Sequence, residues 1–161
     1  MSAGLVRILL ERNEVDPETA DNSGQTPLCL AALNGDEATV GLLLERGSVK
    51  PDMAGKKGQT PLLQAAKEGE EGVVKILLGR DNVDPNKARE DGQTPLSCAV
   101  RKGNQAVVRL LLERNDLNLD TTDNFGRTPA SWAAENKDDE IAKLLSDRAD
   151  FPPDLEQAFN R

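Results

Sequence analysis

Apolar and polar positions along the chain alternate between two textures. Runs such as Val73-Val74-Lys75-Ile76-Leu77-Leu78 and Val107-Val108-Arg109-Leu110-Leu111-Leu112 place apolar residues at i, i+3 and i+4. That spacing predicts helices with one buried and one wet face. Ahead of such runs stand Thr-Pro pairs followed by small residues: Ala31-Ala32, Ala65-Ala66, Ala99 and Ala133-Ala134. A Thr N-cap before a Pro at the first helical position is a strong helix start. The alanines let this first, inner helix come close to its neighbours. Gly35, Gly69 and Gly103 supply a stop that tolerates positive φ, and Lys137 takes that place in the last unit. After the second helices come Val-Asp-Pro-Asn at 83–86 and its relatives at 15–18, 49–52 and 117–120. Pro at 17, 51 and 85 forbids a continuing helix, so these are extended or turn segments.

The textures repeat at a fixed interval. Thr-Pro falls at 26–27, 60–61, 94–95 and 128–129, a spacing of 34. Gly24, Gly58, Gly92 and Gly126 keep that interval, as do Arg12, Arg46, Arg80, Arg114 and Arg148. So many residue types in step identify a repeat array. The fold class read from this is an all-α repeat solenoid of four helix–turn–helix units at 21–54, 55–88, 89–122 and 123–154. Residues 1–20 read as a partial first repeat with a second helix only (Leu5–Arg12), and 155–161 as a C-terminal capping tail. The lone first helix carries Leu5, Val6, Ile8, Leu9 and Leu10, so the start reads either as excised from a longer array or as a single-helix cap.

The glycine turn, Thr-Pro-Leu, the paired alanines, the mid-repeat Gly and the Val-Val-x-x-Leu-Leu helix, in that order, resemble the ankyrin repeat family. The likeness covers residues 4 to about 154. The surplus residue over the usual 33 falls in the Arg-x-x-Val-Asp-Pro-Asn segment. That variant, with Gly126-Arg127-Thr128-Pro129-Ala130-Ser131-Trp132, resembles the ankyrin arrays of large fungal signalling proteins. Two departures matter. The family's His after Thr-Pro-Leu is replaced by Cys29, Leu63, Ser97 and Ser131, so any hydrogen bonds it makes must be lost or remade. Ala130 replaces Leu in the last unit, which weakens its packing.

Composition narrows the function classes. The aromatic residues are Phe125, Phe151, Phe159 and Trp132, with neither Tyr nor His. Leu, Val and Ala carry the core instead, as thin stacked layers allow. A formal charge of −8 argues against nucleic-acid binding, which needs clustered Lys and Arg. No apolar run approaches the length of about 18 residues needed to cross a membrane. The first residues lack a signal-peptide layout, so the expected address is cytosol or nucleus. Without His, no Ser-His or Cys-His pair can be built, and the phosphate-loop and zinc-protease motifs are absent. The acidic runs Glu68–Glu71 and Asp138–Glu140 read as solvated starts of second helices. Cys29 and Cys98 lie two repeats apart, roughly 20 Å if helices pack about 8–10 Å apart, too far for a disulfide. Asp16-Pro17-Glu18 and Asp84-Pro85-Asn86 read as turns rather than calcium ligands. No enzyme, cofactor or metal is expected.

The resemblance implies a curved stack whose turn tips and inner helices line a concave face. Positions that vary between units there are the natural contacts for a protein or peptide partner. At the tips these are Asn22, Ser23, Lys56, Lys57, Glu90, Asp91, Asn124 and Phe125, followed by Gln25, Gln59, Gln93 and Arg127 after the glycine. On the inner helices they are Leu33, Lys67, Arg101 and Glu135 at one register, and Trp132 at another where other units carry Leu30, Gln64 and Cys98. Lys56, Lys57 and Lys67 are expected to cluster, with Arg101 one unit away. Phe125 and Trp132 beside Arg127 suit an acidic segment carrying an apolar residue. The expected role is a monomeric protein-interaction module within a larger signalling protein. The alternatives are a structural or self-associating spacer and an engineered ankyrin scaffold, the latter disfavoured by the irregular fingertips.

Overall fold

The computed structural model describes residues 16–150. The expected first helix at 5–12, the capping tail at 155–161, Phe151 and Phe159 lie outside the described residues. Among the described residues there are eight α-helices in four pairs. The inner helices are α1 (Pro27–Leu33), α3 (Pro61–Glu68), α5 (Pro95–Lys102) and α7 (Pro129–Asn136). Their outer partners are α2 (Glu37–Glu45), α4 (Glu71–Leu78), α6 (Gln105–Leu112) and α8 (Asp139–Asp150).

Each inner helix starts where the Thr-Pro pair places it. The Thr hydroxyls of Thr26, Thr60, Thr94 and Thr128 accept from the amides of Cys29, Leu63, Ser97 and Ser131 at 3.1–3.3 Å. Each helix then ends in a left-handed residue or beside one. Gly69 and Gly103 take φ of 84° and 72° as caps, and Lys137 takes 56° at the same place. A lysine there bears the steric cost that its glycine counterparts avoid.

Packing is confined to neighbours. Every inner helix touches the adjoining inner helices and its own outer helix, and the outer helices form a second row. The core runs through the stack as Leu28, Leu62, Leu96, Ala65, Ala99 and Ala133 on the inner row and Val40, Leu43, Val74, Leu77, Val108, Leu111 and Ile141 on the outer. No helix among the described residues is long and apolar enough to cross a membrane.

Polar side chains tie one unit to the next at three levels. Asn104 donates to the carbonyls of Ala66 and Lys67, and Asn136 to those of Val100 and Arg101, closing inner-helix ends of the preceding unit. Arg114 donates to Leu78 O and Arg148 to Leu112 O, both at 2.9 Å, doing the same for the outer helices. In the Val-Asp-Pro-Asn segments, Glu18, Asp52 and Asn86 accept from the amides of Lys50, Asp84 and Asn118 at 2.7–2.8 Å. The segment that holds the surplus residue thus builds its own ladder.

The family His is replaced unevenly. The Cys29 thiol donates across to Gln59 O of the next unit at 3.3 Å. Leu63 has no polar group to offer, and the Ser97 and Ser131 hydroxyls turn back onto Thr94 O and Thr128 O of their own caps. Both cysteines are buried and free.

The finger glycines report how closely units approach. A Cβ on Gly92 (φ 79°) would lie 2.9 Å from the Cα of Asp123, whereas one on Gly126 (φ 75°) meets nothing within 4 Å. Both alanine substitutions bear the left-handed backbone cost of about 1–2 kcal/mol. Gly92→Ala adds a clash with backbone, on the order of another 1–3 kcal/mol. Urea unfolding should therefore show a clearly lower midpoint for Gly92→Ala than for Gly126→Ala, and equal midpoints would contradict this packing of the fingers.

Candidate functional site

The segments between units fold back as tight fingers. Asp21, Gly55, Arg89 and Asp123 donate their amides to the carbonyls of Gln25, Gln59, Gln93 and Arg127 at 2.9–3.0 Å. Successive fingers are also joined: Lys56 N donates to Gly24 O, Glu90 N to Lys57 O and Asn124 N to Asp91 O. The fingers and the inner helices behind them form one continuous face.

Their internal supports differ. The Asp21 carboxylate accepts from the amides of Ser23 and Gln25, and Asp123 does the same for Phe125 and Arg127. The second finger has Gly55 there and no such brace. It contains a short 3₁₀ turn, Lys56–Gly58, with Lys57 left-handed at φ 62°. The third has Arg89, whose guanidinium grips Asp91, and Asp91 braces Gln93 N in turn. Arg89 is a site residue that varying-position reasoning passed over. Its signal was an Arg at the 34-residue register where Asp21 and Asp123 stand.

A polar ladder runs where fingers meet inner helices. Gln25 donates to Gln59, and Gln64 on α3 donates to Gln59 and Gln25. Gln93 accepts from Arg89 and from the Cys98 thiol. At 6% exposure Gln93 is buried, with its amide oxygen engaged by Arg89 and the Cys98 thiol, so it supports Arg89 rather than facing a partner. That corrects its expected contact role. A groove of about 360 Å³ opens between the second, third and fourth fingers, lined by Lys57, Gln59, Arg89, Glu90, Asp91 and Asn124.

The fourth unit replaces this ladder with stacked cations and rings. Arg127 lies between two aromatics, its Cζ 3.9 Å from the Trp132 ring centre and 4.8 Å from that of Phe125. Arg101, from the preceding inner helix, reaches within 5.7 Å of the same indole. Trp132 is 9% exposed and Phe125 is 78% exposed. The indole is therefore largely covered, and the phenyl ring is the exposed surface feature.

The expected lysine cluster separates into two places. Lys56 and Lys57 are exposed at a fingertip, while Lys67 sits in the last turn of α3, about 10 Å further along the helix. Lys67 also pairs with Glu68 at 2.7 Å, so its charge is largely matched. Of the remaining expected contacts, Asn22, Ser23, Glu90, Asn124 and Glu135 are exposed, and Leu33, Asp91 and Arg101 half-buried. Among the described residues no group of three or more His, Cys, Asp or Glu is placed to hold a metal.

Asp123 holds the fourth finger together. Its carboxylate is shielded from water and also accepts from Arg127 Nε at 3.0 Å. Burial pushes the carboxyl upward, but the amides of Arg127 and Phe125 and the guanidinium outweigh it and leave the group below its ordinary range. A folded pKa below the unfolded value of about 3.9 means stabilisation that is present above that value and lost as pH falls through the folded one. The unfolding free energy of Asp123→Asn should accordingly drop less than that of the unaltered protein between about pH 5 and pH 3. Parallel curves from urea unfolding would remove Asp123 from this role.

The sequence matches the family described as Ankyrin repeats (3 copies) over residues 1–89 and 72–154. No curated protein matches the chain. The family's stacks are non-catalytic interaction folds that generally bind other proteins. The two matches together span nearly the whole chain, in agreement with the Thr-capped inner helices, the fingers and the neighbour-only packing, and the protein belongs to the ankyrin repeat family.

Proposed function

We propose that the finger face of the third and fourth units binds an acidic segment of a partner protein, with an apolar partner residue seated on Phe125. The carrying observation is the exposed Phe125 ring with Arg127 stacked 4.8 Å behind it. An aromatic at a fingertip has no core to fill, and a guanidinium behind it holds the ring rigid at low entropic cost. Lys56 and Lys57 extend the cationic rim at the second finger, and the groove beside Arg89 gives an extended segment room to run between them. Glu90 and Asp91 on the intervening finger set a polarity that only some acidic segments satisfy.

The protein acts as a monomeric recognition segment of a larger signalling protein inside the cell, in cytosol or nucleus. Two buried free thiols fit a reducing compartment. The family resemblance, with its 34-residue unit, supports the signalling context by association.

An affinity pull-down with the unaltered chain and with Phe125→Ala combined with Lys56→Glu tests the assignment. The double variant should lose its partners, with a weakening of about thirtyfold or more, on the order of 2 kcal/mol, from the Phe125 anchor alone. Full retention of every captured protein would place binding elsewhere. Light scattering across concentration should report a monomer throughout, and a mass rising with concentration would favour a self-associating spacer.

A further inference from the structure

Two buried hydrogen-bond donors on this face have no acceptor: the indole Nε1–H of Trp132 and the Nε–H of Arg101. A buried indole N–H ordinarily finds a partner, and leaving such a donor unmatched costs about 1–3 kcal/mol. The two donors belong to neighbouring groups, with Arg101 Cζ 5.7 Å from the Trp132 ring centre. Local charge is also uneven. Arg127 is matched by Asp123 at 3.0 Å, whereas Arg101 is in no ion pair among the described residues. The stack therefore holds one surplus positive charge and two unused donors.

We propose that a single carboxylate, from an Asp or Glu of the partner protein, docks between Arg101 and Trp132 and accepts from both. The inference rests on the finger-face reading and supplies its specificity determinant. One unmatched cation suits a monoanion better than a phosphate dianion, which would leave excess negative charge near Asp123. The indole belongs to the core cluster and is overlain by the guanidinium arms of Arg101 and Arg127. Arg127 is held by Asp123, whereas Arg101, half-buried and in no ion pair among the described residues, is the arm that turns aside to admit the carboxylate. In the free protein these arms shield the ring from water. In the complex the orphan donors gain a charged acceptor, an interaction made only with the partner. Phe125, on the other side of Arg127, takes the adjacent apolar side chain.

The test begins with peptides selected from a random library on the full chain. Trp132 is the single tryptophan and there is no tyrosine, so its fluorescence reports binding directly. Selected peptides should carry Asp or Glu beside an apolar residue, and changing that acid to its amide should weaken binding about tenfold or more. By calorimetry, Arg101→Met should weaken the acidic peptide by a similar factor and leave the amide peptide within about twofold, the signature of a direct pair. Trp132→Phe keeps an aromatic ring for Arg127 while removing the N–H along with the five-membered ring; by calorimetry it should cost about tenfold for the acidic peptide, with unchanged circular dichroism. Additive effects of Arg101→Met and the peptide change, tighter binding of the phosphoserine counterpart, or failure to select any acidic peptide would each overturn the assignment. If Phe125→Ala abolishes binding while Arg101→Met does not, the finger face stands and the carboxylate subsite falls. If neither matters, both fall.

Discussion

A pair of helices about two turns long cannot cover its own apolar face, and everything else in this protein follows from that. Each unit is completed by the next, so the surfaces that must fit are the ones between units. Alanines at 31–32, 65–66, 99 and 133 bring the inner helices together, and glycine at the first three fingers lets the following finger approach to van der Waals contact. Close approach then strands helix-end carbonyls between layers. Asn104, Asn136, Arg114 and Arg148 satisfy them from one unit along, so the same residues that solve a hydrogen-bonding problem also set the stacking register.

Such an arrangement separates stability from recognition. Residues that recur every 34 positions are committed to the stack, while the fingertips face outward and can vary without disturbing the core. The second and third fingers show how far this goes. Gly55 removes the carboxylate brace and a left-handed Lys57 results, while Arg89 in the same register recruits Asp91 to restore a brace. Both fingers still join their neighbours by backbone hydrogen bonds, so local variation is absorbed without loss of the array.

The fourth unit shows where variation turns into a surface. At the register where other units place Leu30, Gln64 and Cys98, the fourth carries a tryptophan that joins the core cluster. It is also overlain by cations from its own finger and from the neighbouring inner helix. The result is a stack of alternating rings and guanidiniums, unlike the amide ladder of the first two units. Asp123, buried beneath it, keeps Arg127 in position and leaves Arg101 as the unmatched charge.

The array, its period, the helix starts at Thr-Pro and the glycine stops were legible in the sequence because they arise from local chemistry: caps, φ preferences and apolar spacing act within a few residues of themselves. The variable face was also legible as a list of positions, since recurrence at 34 separates the committed residues from the rest. What those positions do was decided by contacts between units, which no local pattern carries. Lys67 was drawn away from Lys56 and Lys57 by the length of its helix and the nearness of Glu68. Gln93 was buried by Arg89 and Cys98, Trp132 was covered by two arginines from different elements, and Phe125 alone among the large aromatic residues described was left in water. Sequence determined which layers this protein is made of; only the packing of one layer on the next decided which of its charges and rings remain available.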